Sequence, residues 1–383
     1  MDYIYLDHNA TTMIDPCVIK AMQPYTKEIF GNPSSSHELG RMAKSGIEKS
    51  RDYIANLIGA NSEEIIFTSG GTESNNMVIK GMVDLKEPNK NHIIISAIEH
   101  PSILNPALYL LELGVKVSII GVDKYCIIDP DDIKKAIEPK TKLISVMLAN
   151  NETGTIQPIQ EIARIGKEYG IPVHTDAAQA IGKMHVDVNE LGVDLLTIAG
   201  HKLYAPKGIG ALYIKNGIRI NPLLHGGGQE GNRRSGTENV IMSVALGTAS
   251  KIAKDRLKKD MENMRILRDK LQDLLFKKIE DLVLNGHPIK RLPNTLNVSV
   301  PGIPGNKILE GISEIIASTG AACHDKKRSI SHVLAAMGVS EDVGLGALRF
   351  SVGRSNNMAH IEKAADLISS RVNELKKELK KGV

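Results

Sequence analysis

Short, unbroken apolar runs alternate along the first two thirds of the chain with longer stretches whose apolar residues recur every three or four positions. The runs are Ile65-Ile66-Phe67, Ile93-Ile94-Ile95, Val115 to Ile119, Leu143 to Leu148, the segment at Val173, Leu195 to Ala199 and Ala211 to Ile214. Helical spacing fills the gaps, for example from Ser102 to Leu113 and from Ile159 to Tyr169. Continuous apolar strands separated by helices predict an α/β fold whose mostly parallel sheet is covered on both faces. This is read as a large domain over residues 13–259. A long helical pattern from Val240 to about Glu280 leads out of it. The remainder, residues 260–383 together with 1–12, reads as a smaller α+β domain closed by an amphipathic helix that carries Ile361, Ala364, Ala365, Ile368 and Val372 on one face.

The polar residues at the ends of these strands carry the candidate chemistry. Val173-His174-Thr175-Asp176 ends on a carboxylate, and Leu195 to Ala199 is followed by Gly200-His201-Lys202. Ligands of open α/β sheets collect just beyond such ends. Asp176 and Lys202 together suit pyridoxal phosphate (PLP), whose aldehyde binds an amine and whose ring nitrogen stays protonated beside a carboxylate. Taken singly, a lysine is a surface amine and an aspartate a helix cap, so the pair carries weight only through coincidence with other signals. One such signal is Thr68-Ser69-Gly70-Gly71-Thr72, a strand, glycine turn and helix start that offers Gly71, Thr72 and a helix dipole to a phosphate, or else serves as a plain turn. Its spacing is neither a dinucleotide fingerprint nor a P-loop. His100, just before a helix start, either caps that helix or stacks on an aromatic cofactor as an acid or base. Asn151 lies in a polar turn that could contact the cofactor or merely close the chain. The loop His225 to Thr237, rich in glycine and arginine, reads as anion-facing, subunit-bridging or simply solvent-exposed.

In the small domain, Cys323 is followed at once by His324, Asp325, Lys326, Lys327 and Arg328, with no apolar residue until Ile330. Neighbouring cations favour a thiolate, so Cys323 is read as an exposed, activated nucleophile. Cys17 and Cys126 lack such surroundings and receive no role. Three cysteines at irregular spacing argue against a disulfide framework or a zinc site, which suits a reducing, cytoplasmic setting. The formal charge of +4 and aromatic content of 3% give little support for nucleic-acid binding. No run of about 18 apolar residues suggests a membrane span, and the N-terminal residues do not read as a secretion signal.

The segments YLDHNATT, FGNPSSSH, TSGGTESNN, EHPSI, NNETGTIQP, HTDAAQ, GHKLYAPKGIGALY, HGGGQEGNRRSGTEN, NGHP with RLPNTLNVS, STGAAC and RFSVGR occur in one order over nearly the whole chain. In this the sequence resembles the PLP-dependent cysteine desulfurases of the NifS/IscS type, a branch of the class V aminotransferases. The resemblance implies the fold type I architecture of PLP-dependent transferases and a homodimer. It implies that Lys202 forms the Schiff base, Asp176 pairs with the ring nitrogen, Gln179 and Asn151 contact the ring's phenolic oxygen, and His100 stacks on the ring. Gly71, Thr72 and His201 would hold the phosphate, with Thr237 reaching in from a second subunit. Arg354 would clamp the carboxylate of L-cysteine, assisted by Asn151, and Cys323 would take the sulfur as a persulfide for an acceptor such as an iron–sulfur scaffold or thiolation protein.

Two departures from the family pattern stand out. Ala199 occupies a position where the family commonly has a phosphate-binding serine, and Ala321-Ala322-Cys323-His324 with its basic tail is closer to selenocysteine lyases or to desulfurases of DNA sulfur modification. Selenocysteine lyase activity, and a non-catalytic sulfur-relay scaffold, therefore stay open beside cysteine desulfuration.

Overall fold

The protein is described here by a computed structural model over residues 3–319, 321–322 and 329–381. Seven strands form the central sheet, running from one edge as Ile65–Thr68, Gly210–Ile214, Leu195–Ala199, Val173–Asp176, Thr141–Ser145, His92–Ser96 and Lys116–Ile120. All neighbours pair in parallel except Gly210–Ile214, which is antiparallel to both of its partners. That single reversal is what qualifies the sheet as mostly parallel, and a run of four apolar residues carries no sign of its direction. Successive side chains point to opposite faces, so Ile94 enters the core on one side while Ile93 and Ile95 enter the core on the other. Helices cover both faces, including Ile159–Tyr169, whose bounds match the sequence pattern, and Pro101–Glu112.

The second core is built on a four-stranded antiparallel sheet in the order Ser318–Thr319, Ala347–Ser351, Thr295–Ser299, Val283–Leu284. Ile4–Tyr5 pairs in parallel with Ile315–Ile316, and Ile4 and Leu6 belong to this core and not to the first. The two cores share one helix, Val240–Lys278, of 39 residues. At 1.5 Å per residue it is about 58 Å long. Ala245, Leu246, Ala249 and Ala253 pack into the large-sheet core, while Met264, Leu267, Leu271 and Leu275 pack into the other. Among the described residues, no helix is long and apolar enough to cross a membrane.

The fold brings three things to one place: the carboxyl ends of Val173–Asp176 and Leu195–Ala199, the glycine turn after Ile65–Thr68, and the middle of the Ala347–Ser351 strand. Gly70 makes the turn possible. Its φ of +152° lies where side chains are rarely tolerated, and it allows the Gly71–Gly81 helix to begin directly at the strand end.

Candidate active site

A cavity of about 240 Å³ opens where these elements meet, lined by Asn9, Gly71, Thr72, Asn75, His100, Ser102, Asn151, Asp176, Gln179, Ala199, His201, Lys202 and Arg349 among others. Eight of the residues singled out from the sequence therefore converge: Lys202, Asp176, Gln179, Asn151, His100, Gly71, Thr72 and His201.

Asp176 ends its strand nearly buried, and each of its oxygens accepts one hydrogen bond. Asn75 Nδ2 donates to Oδ2 at 2.8 Å and the Ala178 backbone N–H to Oδ1 at 2.9 Å. Lys202 closes a short turn, Gly200–Lys202, that follows directly on the adjacent strand. Burial lowers the pKa of its amine, the nearby Asp176 opposes that shift, and Arg349 adds to it. An amine held below its ordinary pKa is a better nucleophile at neutral pH. His201, beside it, is pushed down to about 4 by burial and by Lys202, Lys207 and Lys183, so its imidazole is neutral.

His100 caps the Pro101–Glu112 helix, its Nδ1 accepting the Ser102 backbone N–H at 3.1 Å. The same residue that caps the helix also lines the cavity. Gln179 is pinned at both ends of its amide. Nε2 donates to the Asn9 carbonyl at 3.0 Å, and Oε1 accepts from Lys183 Nζ at 2.9 Å. Lys183 is buried and held down to about 7 by loss of solvent and by the charges of Lys202 and Arg349. Asn151 contributes its backbone as well as its side chain, because its carbonyl accepts from Asn9 Nδ2 and from Arg349 Nη1, each at 3.1 Å.

Arg354, expected from the sequence as the carboxylate clamp, lies elsewhere. Its Nε is 2.6 Å from Asp260 Oδ2, its Nη1 is 3.3 Å from Asp15 Oδ2, and its guanidinium stacks 4.1 Å from the centre of the Tyr204 ring. The guanidinium that reaches the cavity is Arg349, five residues earlier in the same RFSVGR segment. It is held by Asp7 Oδ1 at 2.8 Å and Ser318 Oγ at 3.1 Å. The motif offers two arginines, and strand alternation alone does not say which one faces the site. Asn9, Asn75, Ser102 and Lys183 also escaped the sequence reading; Asn9, Asn75 and Ser102 lie inside quoted motifs, but nothing in their spacing marks them as lining residues.

The arginine-rich loop is firmly tethered. Glu230 lies between Arg51, at 2.8 and 2.9 Å, and the Phe67 backbone N–H at 3.0 Å, while Arg234 pairs with Glu73 at 2.8 Å in the first turn of the glycine-turn helix. Thr237, at the end of this loop, is exposed and does not line the cavity of its own chain. Cys323 lies outside the described residues.

The cavity suits a flat aromatic aldehyde phosphate. An amine and a carboxylate stand on adjacent strand ends, and a helix start faces the same space. A Cβ on Gly71 would lie 3.3 Å from Ala199 Cβ, a tight contact that glycine avoids.

The Aminotransferase class-V family model matches residues 4–364. The chain is 46% identical over 378 residues to a cysteine desulfurase IscS of Dictyoglomus turgidum, covering 97% of this chain and 95% of that relative. It is 45% identical to the cysteine desulfurase IscS of Methanosarcina thermophila, covering 97% and 93%. Among solved structures it is similar to a NifS-like protein, with a TM-score of 0.90, 37% identity and coverage of 97% of this chain and 99% of that one. It is also similar to SspA in complex with cysteine, with a TM-score of 0.79, 35% identity and coverage of 91% and 98%. Matched by the family model and by these relatives over almost its whole length, the chain belongs to the class V aminotransferase family, in its NifS/IscS branch.

Proposed function

We propose that this protein is a PLP-dependent cysteine desulfurase that converts L-cysteine to L-alanine and passes the sulfur to an acceptor protein. The observation that carries the reading is one cavity lined by Lys202, Asp176 and Arg349. When bound there, PLP supplies an electrophilic carbonyl for amines and a ring that withdraws electrons from the substrate's α-carbon. Lys202 is the residue that would hold it, Asp176 would keep its ring nitrogen protonated, and His100 would lie against its face. The Gln179 amide, fixed by Lys183 and Asn9, would present its remaining N–H to the phenolic oxygen. Gly71, Thr72 and His201 would receive the phosphate, with Thr237 entering from a second subunit of a homodimer.

Arg349 takes the part of the carboxylate clamp. A guanidinium fork matches a carboxylate in both charge and shape, and its own partners, Asp7 and the Asn151 carbonyl, hold it in place. The Cys323 thiolate attacks the sulfur of the bound cysteine. An S–S bond forms as the C–S bond breaks, and the electron pair left on carbon takes a proton to give alanine. The persulfide on Cys323 then goes to the acceptor, for which an iron–sulfur scaffold or a thiolation protein in the cytoplasm has the required chemistry.

Purified protein supplied with PLP, L-cysteine and a reductant should release alanine and sulfide in equal amounts, and Cys323→Ala should stop both. Full turnover by Cys323→Ala would refute the persulfide route. A strong kinetic preference for selenocysteine would move the assignment to selenocysteine lyase.

A further inference from the structure

A hydrogen-bonded chain runs from Asp176 to His100. Asn75 Nδ2 is 2.8 Å from Asp176 Oδ2 and 2.8 Å from Ser102 Oγ, and Ser102 Oγ is 2.8 Å from His100 Nδ1. The Ser102 backbone N–H also points at that Nδ1, 3.1 Å away. Asn75, Ser102 and Asp176 are all buried.

The direction of every proton in this chain follows from its two ends. Beside a carboxylate, Asn75 must present its NH₂ group, because its carbonyl oxygen would be repelled there. That NH₂ group donates to Ser102 Oγ as well, so the hydroxyl's own hydrogen is free to go to His100 Nδ1. A backbone N–H can only donate, so Nδ1 has to keep its lone pair. Nδ1 therefore accepts from two donors, and in a neutral ring the proton sits on Nε2. Among the described residues no protein atom is hydrogen-bonded to Nε2, while the ring lines the cavity.

We propose that Asn75 and Ser102 are positioning residues that lock His100 as a fixed Nε2–H donor, so that it offers a hydrogen bond to the reacting groups and takes up no second proton during turnover. The inference rests on the PLP reading for what occupies the cavity, but not for the state of the ring. Protonating Nδ1 would set its N–H against the Ser102 backbone N–H and place positive charge at the start of the Pro101–Glu112 helix, where the dipole is already positive. The charged and titratable groups around the ring largely agree. Lys202 and His332 oppose a charge on it, Asp176 favours one, and His201 is itself a neutral neighbour. Burial lowers the pKa further. A histidine in this state cannot accept a proton through Nε2, which leaves proton removal from the substrate to the Lys202 amine.

The test is NMR on holoenzyme and on cofactor-free protein, each labelled with 15N and 13Cε1 in histidine, with the His100 signal assigned by its loss in His100→Asn. In wild type the signal should report the Nε2–H tautomer and should titrate below the ordinary histidine range. In Ser102→Ala the His100 pKa should rise by about one pH unit, the size of one hydrogen bond, and the same shift should enter the acidic limb of the kcat/KM profile for L-cysteine. Ser102→Thr, which keeps the hydroxyl, should restore both. An Nδ1–H tautomer or a normal titration in wild type would overturn the proposal, as would a Ser102→Ala protein with unchanged signal and profile. If Ser102→Ala does not fold, the wild-type tautomer and the Ser102→Thr protein decide the matter. Borohydride trapping at Lys202 is run alongside: loss of that adduct with an intact Nε2–H signal would sink the cofactor reading and leave the lock standing.

Discussion

Lys202 and Asp176 on one wall of the cavity and Arg349 on the other reach the same space by different routes. Asp176 closes one parallel strand and Lys202 stands just past the end of its neighbour, where the sheet itself delivers a residue to the crevice. Arg349 comes from the middle of an antiparallel strand, paired across to Asn297 on one side and Ser318 on the other, and is aimed by Asp7 and the Asn151 carbonyl. Its near neighbour Arg354 has two carboxylate partners, Asp15 and Asp260, and is not among the residues lining the cavity. The strand-end wall is thus dictated by backbone topology, whereas the arginine wall depends on which of two equal cations finds its anions where.

The largest effect that would break this contrast is at Lys202. Lys202→Ala should lower alanine release by roughly 10³-fold or more, at the upper end for loss of a positioned proton-transferring group. Residual turnover above that would show that the strand-end amine is not required. Next, Arg349→Lys should raise the KM for L-cysteine roughly 10- to 100-fold, the equivalent of one or two charge-assisted hydrogen bonds, with a smaller change in kcat. Arg354→Gln should do the reverse. Removing Arg354 leaves Asp260 with Arg256 as its remaining cation and takes a cation from Asp15, and should cost about 2 kcal/mol in urea unfolding, with KM unchanged. If the two arginine variants exchanged these signatures, the assignment of the clamp would be reversed.

A fourth variant concerns Glu99, which precedes His100 and is fully buried. Its Oε1 accepts from Ser96 Oγ at 2.5 Å and from the Met147 backbone N–H at 2.8 Å, Oε2 has no hydrogen-bond partner, and burial pushes its pKa up to about 8. The folded protein therefore binds more protons here than the unfolded chain does between pH 4.5 and 8, and the stabilisation is lost as pH rises through that window. Glu99→Gln cannot titrate, so its stability relative to wild type should climb between those pH values and then level off, as urea melts at a series of pH values would record. A flat difference would mean that Glu99 is ionised in the fold. The smallest effect is expected at Ala199, which lines the cavity beside Gly71. Ala199→Ser should tighten PLP about fivefold, the value of one neutral hydrogen bond, as measured by cofactor fluorescence.

The same contrast explains what could be read from the sequence. The parallel strands, the crossing helices and the Asp176 and Lys202 positions were legible because buried strands are written as apolar runs and functional residues sit where those runs stop. The helix start after His100 was legible too, and His100 caps Pro101–Glu112 through the Ser102 N–H at 3.1 Å. The reversed direction of Gly210–Ile214 was not, since both strand directions use the same residues. Nor was the choice between Arg349 and Arg354, which depends on Asp7, Asp15 and Asp260 arriving from distant parts of the chain. Asn75 and Ser102 stayed hidden for a related reason: each is an ordinary helix residue until folding lays them 2.8 Å apart.

The helix Val240–Lys278 adds a consequence for substrate choice. It contains no proline, and sharp kinks almost always need one or a comparable interruption. As one continuous helix packed into both cores, it ties the core beneath the amine wall to the core beneath the guanidinium wall before any amino acid arrives. Discrimination by chain length would then be a property of a fixed caliper and not of jaws that close to fit.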